Sequence, residues 1–161
     1  MNQSSAANKG FTLIELLTVI LIISILMGVA IPQYTRSVRR AEMAEGLIQG
    51  KTIYDAAVRH KGAYGSSPTS FDGLDVAFVD AEVTGSEFDD GTFKYQLKPG
   101  YVAAVNQKGD YEIRFIYPTS DDNGVYAPVA CCPSTSFICQ NAGETSTATG
   151  MPTDKTCTEI K

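Results

Sequence analysis

Few residues in this chain could do chemistry, and the most demanding of them is a carboxylate. Glu15 stands in Lys9-Gly10-Phe11-Thr12-Leu13-Ile14-Glu15-Leu16-Leu17, at the head of a run that carries no further charge through Gln33. An ionised carboxylate near the middle of a bilayer costs about 2.5–3.5 kcal/mol even on lenient insertion scales. Glu15 therefore needs a partner, and its default reading is functional.

Four cysteines, Cys131, Cys132, Cys139 and Cys157, are confined to the last third of the chain. An even number in a small domain behind an export feature reads as a disulfide framework in an oxidising compartment. Zinc is the competing reading, but adjacent cysteines followed by gaps of six and seventeen residues fit no common ligand spacing, and no histidine lies nearby. A direct Cys131–Cys132 bond is strained by geometry. Each then pairs with Cys139 or Cys157, in either order; Cys132 with Cys139 and Cys131 with Cys157 is the preferred arrangement.

Catalytic equipment is otherwise missing from the sequence. His60, the one histidine, lies between Arg59 and Lys61 near the end of an amphipathic stretch, and reads as a solvated residue rather than a general base. There is no nucleophile motif, phosphate-binding glycine loop or metal-ligand signature. Asp121-Asp122-Asn123-Gly124 is rich enough in oxygen to interest calcium, yet it is equally a good turn and lacks the glutamate spacing of an EF-hand. The eight tyrosines and seven phenylalanines fall where a core wants them rather than marking an electron path. The sequence predicts no enzyme, no cofactor and no metal.

The element that must position Glu15 is the apolar run itself. Residues 11–31 give twenty-one nearly uninterrupted apolar positions, and about 20 suffice for a helix to cross the hydrocarbon core. A secretory signal would place a short apolar stretch before its cleavage site. Here the polar segment Met1–Lys9 and Gly10 come first, so cleavage after Gly10 would leave the apolar segment on the mature chain. Phe11 would then carry an ammonium in apolar surroundings, and it and Glu15 would each need a partner. The alternative is that Glu15 reaches back to the headgroups, which predicts tolerance of Gln at this site.

Lys9-Gly10-Phe11-Thr12-Leu13-Ile14-Glu15 resembles the prepilin processing site of type IV pilins, type IVa-like major pilins in particular, and of their near relatives, the type II secretion pseudopilins. The likeness covers about residues 9–35, including the helix-breaking position at Pro32. The resemblance implies cleavage after Gly10 by a membrane-embedded prepilin peptidase and N-methylation of Phe11. It also implies that Glu15 pairs with the Phe11 amine of an adjacent subunit, fixing the stagger of stacked helices. The family usually has a glycine in mid-span where this chain has Ser24, so Gly28 and Pro32 are the expected places for a kink or local melting.

Net charge is −5. Arg36, Arg39 and Arg40 directly follow the span, and three readings stay open for them: headgroup contact, pairing with acidic patches of neighbouring subunits, or a solvated helix face. By the positive-inside rule these arginines, set against Lys9, favour a cytoplasmic C-terminal domain; the cysteines favour an oxidising compartment.

Removal of ten residues from 161 leaves 151, enough for a membrane helix and one modest domain. Met43, Leu47, Gly50, Tyr54 and Ala57 recur at gaps of four and three, the stripe of a helix packed on one side. If unbroken from Thr12 to His60, that helix is roughly 70–75 Å long at about 1.5 Å per residue. Strands are expected at Thr92–Leu97, Tyr101–Val105 and Tyr111–Tyr117, with a fourth at Gly124–Val129; Lys98-Pro99-Gly100 and Gln107-Lys108-Gly109-Asp110 supply turns.

The expected organisation is a leader over 1–10, a transmembrane or filament-core helix over 11–33 and an amphipathic helix over 34–62. A connecting loop over 63–90, an antiparallel sheet over 91–130 and a cysteine-stapled region over 131–161 follow. The expected fold is α+β and ladle-shaped, a long helix on a three- to four-stranded antiparallel sheet.

The resemblance implies a homopolymer that builds a type IV pilus for adhesion, twitching motility or DNA uptake. It implies residence in the bacterial inner membrane before assembly and on the cell surface afterwards. The implied partners are the prepilin peptidase and the inner-membrane assembly machinery, with nucleic acid entering only through DNA uptake. The alternative is a pseudopilin or a minor, ligand-binding pilin. An unrelated class is a membrane-anchored enzyme or binding domain with an uncleaved helix.

Overall fold

The computed structural model describes residues 11–77, 82–117, 129–142 and 157–160. The chain divides into two units, Met1–Val38 and Arg39–Lys161. One helix, α1 (Leu13–Tyr64), supplies the described part of the first unit beyond Thr12 and the helical layer of the second.

In the first unit α1 is long and apolar enough to cross a membrane, and none of that stretch is buried among the described residues. The helix runs unbroken through Gly28 and Pro32. The two residues mark one locus: Pro32 has no N–H to give the carbonyl four residues back, which is that of Gly28. A Cβ added at Gly28 would meet nothing within 4 Å.

In the second unit α1 buries Met43, Gly46, Gly50, Ile53, Tyr54, Ala56 and Ala57. The stripe read from the sequence is present, with Leu47 only partly buried. It lies on a sheet formed by β1 (Glu82–Thr84), β2 (Glu87–Asp89), β3 (Phe93–Lys98), β4 (Tyr101–Asn106), β5 (Glu112–Ile116), β6 (Val129–Cys132) and β7 (Thr158–Ile160). Among the described residues this is a seven-stranded antiparallel meander in chain order, not the three or four strands expected.

The segment read as a connecting loop carries a short 3₁₀ turn at Phe71–Gly73 and the β1–β2 hairpin. Its strands are three residues each, too short for periodicity to register, and carry Glu82, Glu87 and Asp89, residues that β-structure disfavours. The β3–β4 turn is as expected: Pro99 presets φ at its first central position, and Gly100 takes φ +96° at the second. Residues 124–128 of the expected fourth strand lie outside the described residues; the strand that follows β5 is Val129–Cys132.

The inner face of the sheet packs Phe93, Tyr95, Val102, Ala104, Ile113 and Phe115 against α1. Two glycines let the layers close, with Gly46 over the Phe93 ring and Gly50 over Phe115. Burial pushes the phenols of Tyr111 and Tyr117 up to about 12 and that of Tyr95 further still. Their unfolded value is about 10. The native state thus holds protons that the unfolded chain releases, so their contribution to stability is complete below about pH 10 and is lost as pH rises toward 12. Thermal melts of the domain between pH 8 and 11 are expected to show a midpoint that falls from about pH 10 upward.

The cysteine pairing is opposite to the preferred one. Cys131 bonds Cys139 and Cys132 bonds Cys157. Neighbours on a strand point to opposite faces. Cys131 enters the inner core with Cys139, carried on α2 (Phe137–Gln140), whereas Cys132 joins an outer cluster of Ile116, Ala130, Tyr101 and Cys157. The outer face also holds the wholly buried Arg114, paired with Glu112 and set 5.0 Å from the Tyr101 ring centroid. The Cys132–Cys157 bond ties β7, the last strand, to β6. Replacing both cysteines by Ser is expected to cost about 3 kcal/mol, and hydrogen exchange at Thr158–Ile160 should accelerate before the inner strands respond.

Candidate functional site

The site begins where α1 begins. Thr12 precedes the first helical residue, and its backbone N–H and hydroxyl both donate to Glu15 Oε2, at 2.9 and 2.7 Å. The Glu15 N–H donates in return to Thr12 Oγ1 at 3.3 Å. This is a reciprocal capping box, Thr-x-x-Glu, in which each side chain satisfies a backbone donor at the helix start. A reading from charge alone misses Thr12, for which the Thr-x-x-Glu spacing is the signal in the sequence.

The box changes the account of Glu15. Its carboxylate is bonded within its own chain through Oε2, while Oε1 makes no hydrogen bond among the described residues. A carboxylate accepts at about four positions, so one oxygen can hold the cap while the other receives a further donor. Gly10 lies outside the described residues. Phe11 is described and exposed, and as an internal residue it carries an amide rather than an ammonium.

Past the apolar stretch, Arg39 pairs with Asp110 on the β4–β5 turn at 2.9 Å, which gives this arginine an intramolecular role that none of the three readings included. Glu42 pairs with Lys108 of the same turn at 2.9 Å. These two contacts hold the turn to α1.

His60 is partly buried and tilted against Tyr64, with ring centroids 4.6 Å apart, rather than fully solvated. The neighbouring Arg59 is held by both carboxylate oxygens of Asp75 at 2.8 Å. No group of three His, Cys, Asp or Glu side chains is placed to hold a metal among the described residues. The segment Asp121–Gly124 lies outside them.

Residues 5–31 match the family model described as the prokaryotic N-terminal methylation motif. The fimbrial protein of Pseudomonas aeruginosa is 33% identical over 111 residues, 66% of this chain and 66% of that one. The type IV major pilin protein PilE1 of Neisseria gonorrhoeae is 31% identical over 97 residues, 60% of this chain and 56% of its own length. The type IV major fimbrial protein FimA of Dichelobacter nodosus is 33% identical over 120 residues, 72% of this chain and 67% of its own.

The chain belongs to the type IV pilin family. The pilin thus spans roughly half to two thirds of the length of these relatives. No solved structure matches it. What the family adds to the pilin's geometry is a reason for an apolar stretch of α1 that no described residue covers, with a carboxylate at its head.

Proposed function

We propose that this pilin is a structural subunit that polymerises through its N-terminal helix into a type IV pilus, serving adhesion, motility or DNA uptake. A prepilin peptidase removes residues 1–10 and methylates Phe11, the inner membrane holds the subunit before assembly, and the assembly machinery of that membrane extracts it into a surface filament. The observation that carries this reading is the uncovered apolar stretch of α1, headed by a carboxylate with one oxygen still unbonded. Lipid is as apolar as a bundle of such helices, so their apolar surface gains little on transfer. A charge pair between Glu15 and a neighbour's Phe11 ammonium then decides the register, because either charge left alone there is costly. The absent N–H at Pro32 makes Gly28–Pro32 the place where the helix yields as it enters the bundle.

Deleting the gene for this chain is expected to remove long filaments from sheared cell surfaces, and supplying the chain in trans to restore them. Filaments that persist without it would contradict the reading. A pseudopilin would leave secretion, not surface filaments, dependent on the chain.

A further inference from the structure

Along α1 past Val38 most charged side chains are engaged within the chain: Arg39 with Asp110, Glu42 with Lys108, Lys51 with Asp55, and Arg59 with Asp75. Arg40 and Glu45 make no hydrogen bond or ion pair among the described residues, and both are exposed. Five residues apart, they are displaced by about 140° around the helix axis. They therefore cannot meet on one helix, where neighbours are three or four apart.

Glu45 borders a recess of about 670 Å³ between α1 and the β2–β3 connection, lined also by Ala41, Ala44, Ile48, Phe88 and Asp90. Asp90 Oδ1 accepts from the backbone N–H groups of Thr92 and Phe93, at 2.8 and 2.6 Å, while Oδ2 makes no bond. Stacked on Phe88 at 5.3 Å is Tyr95, wholly buried, whose hydroxyl has no partner at ordinary hydrogen-bond distance and faces the Asp90 carboxylate first and that of Glu45 second. A buried hydroxyl left without a partner is uncommon in native proteins. Here it stands beside two carboxylates with no cation among the lining residues, and the recess is walled by three alanines and an isoleucine.

We propose that this recess receives the Arg40 side chain of a second copy of the chain. A guanidinium offers five donors in a plane to the two carboxylates that line the recess, and its methylene stem suits the alanine and isoleucine wall. Lysine would bring three donors on a point charge. Donor and acceptor stand about 140° apart around α1, and the contact repeated head to tail propagates as an open chain. The inference rests on the polymerisation reading and adds a contact of the globular part that is independent of Glu15.

The test is charge reversal with rescue in cells that make wild-type filaments of this chain. Arg40→Glu and Glu45→Arg are each expected to cut sheared filament yield about tenfold or more, because like charges then face each other. The double variant Arg40→Glu with Glu45→Arg should recover most of it. Processed subunit in the membrane is measured for each, and Arg40→Gln with Glu45→Gln replaces the reversals wherever accumulation falls. Wild-type yield in the single variants would overturn the contact, as would single losses that the double does not restore. If the wild-type chain forms no filaments at all, the polymerisation reading fails first, and the two failures are told apart.

Discussion

Glu15→Gln is expected to abolish filaments while leaving the subunit processed, inserted and capped at its helix start. Glutamine can still accept from the Thr12 N–H and hydroxyl as the third-position partner of a capping box. It cannot neutralise an ammonium. If Glu15 acts mainly through the cap seen at Thr12, Gln is tolerated, and Thr12→Val would be the more damaging change, at about 1 kcal/mol of helix stability. If it acts through a neighbour's Phe11 amine, Gln leaves that amine buried and unpaired. Breaking a buried pair costs about 3–5 kcal/mol, more than a hundredfold in each subunit's association constant. Glu15→Val should do the same and lose the cap as well. Headgroup snorkelling also predicts tolerance of Gln, so filament yield from this variant separates the pairing role from both bland ones.

Gly50→Leu is expected to destabilise the globular part strongly. A Cβ at Gly50 would overlap the Phe115 ring, 2.7 Å from Cζ and closer still to Cε2. That ring cannot swing away, because Phe115 is buried in the main cluster and packs against Tyr54 at 6.2 Å between centroids. Overpacking costs about 1–3 kcal/mol, occasionally more, and leucine adds a full branched chain at the tightest contact of the interface. We expect a loss of about 3 kcal/mol or more, a large share of the stability of a domain this size. Gly50→Ala should cost less, since alanine regains about 1 kcal/mol of helix propensity. Gly62→Ala, where nothing lies within 4 Å, should be neutral or slightly stabilising. Chemical denaturation of the three variants reads the order directly; a leucine variant as stable as the parent would contradict the packing account.

The parts legible in the sequence were those with long-range pattern. The apolar run, the stripe from Met43 to Ala57 and the β3–β4 hairpin each repeat a period or a turn signal over many residues, and the structure keeps them. The β1–β2 hairpin has three-residue strands rich in acids, so neither alternation nor propensity announced it. The cysteine pairing depends on which face of β6 each sulfur takes. That is set by register against β5, where Ile113 lies opposite Cys131 and Glu112 opposite Cys132, and spacing along the chain carries no such information. Thr12 is hidden for another reason: an uncharged residue at the edge of an apolar run adds to no period, and its role shows only in the i, i+3 geometry with Glu15.

The most direct test of the central claim is N-terminal mass analysis of filaments sheared from cells that make this chain. The account predicts that the filament protein is this chain, beginning at an N-methylated Phe11 and lacking Met1–Gly10, and that no such filament is recovered from the Glu15→Gln strain. A chain that keeps Met1 and is absent from the filament fraction would contradict it.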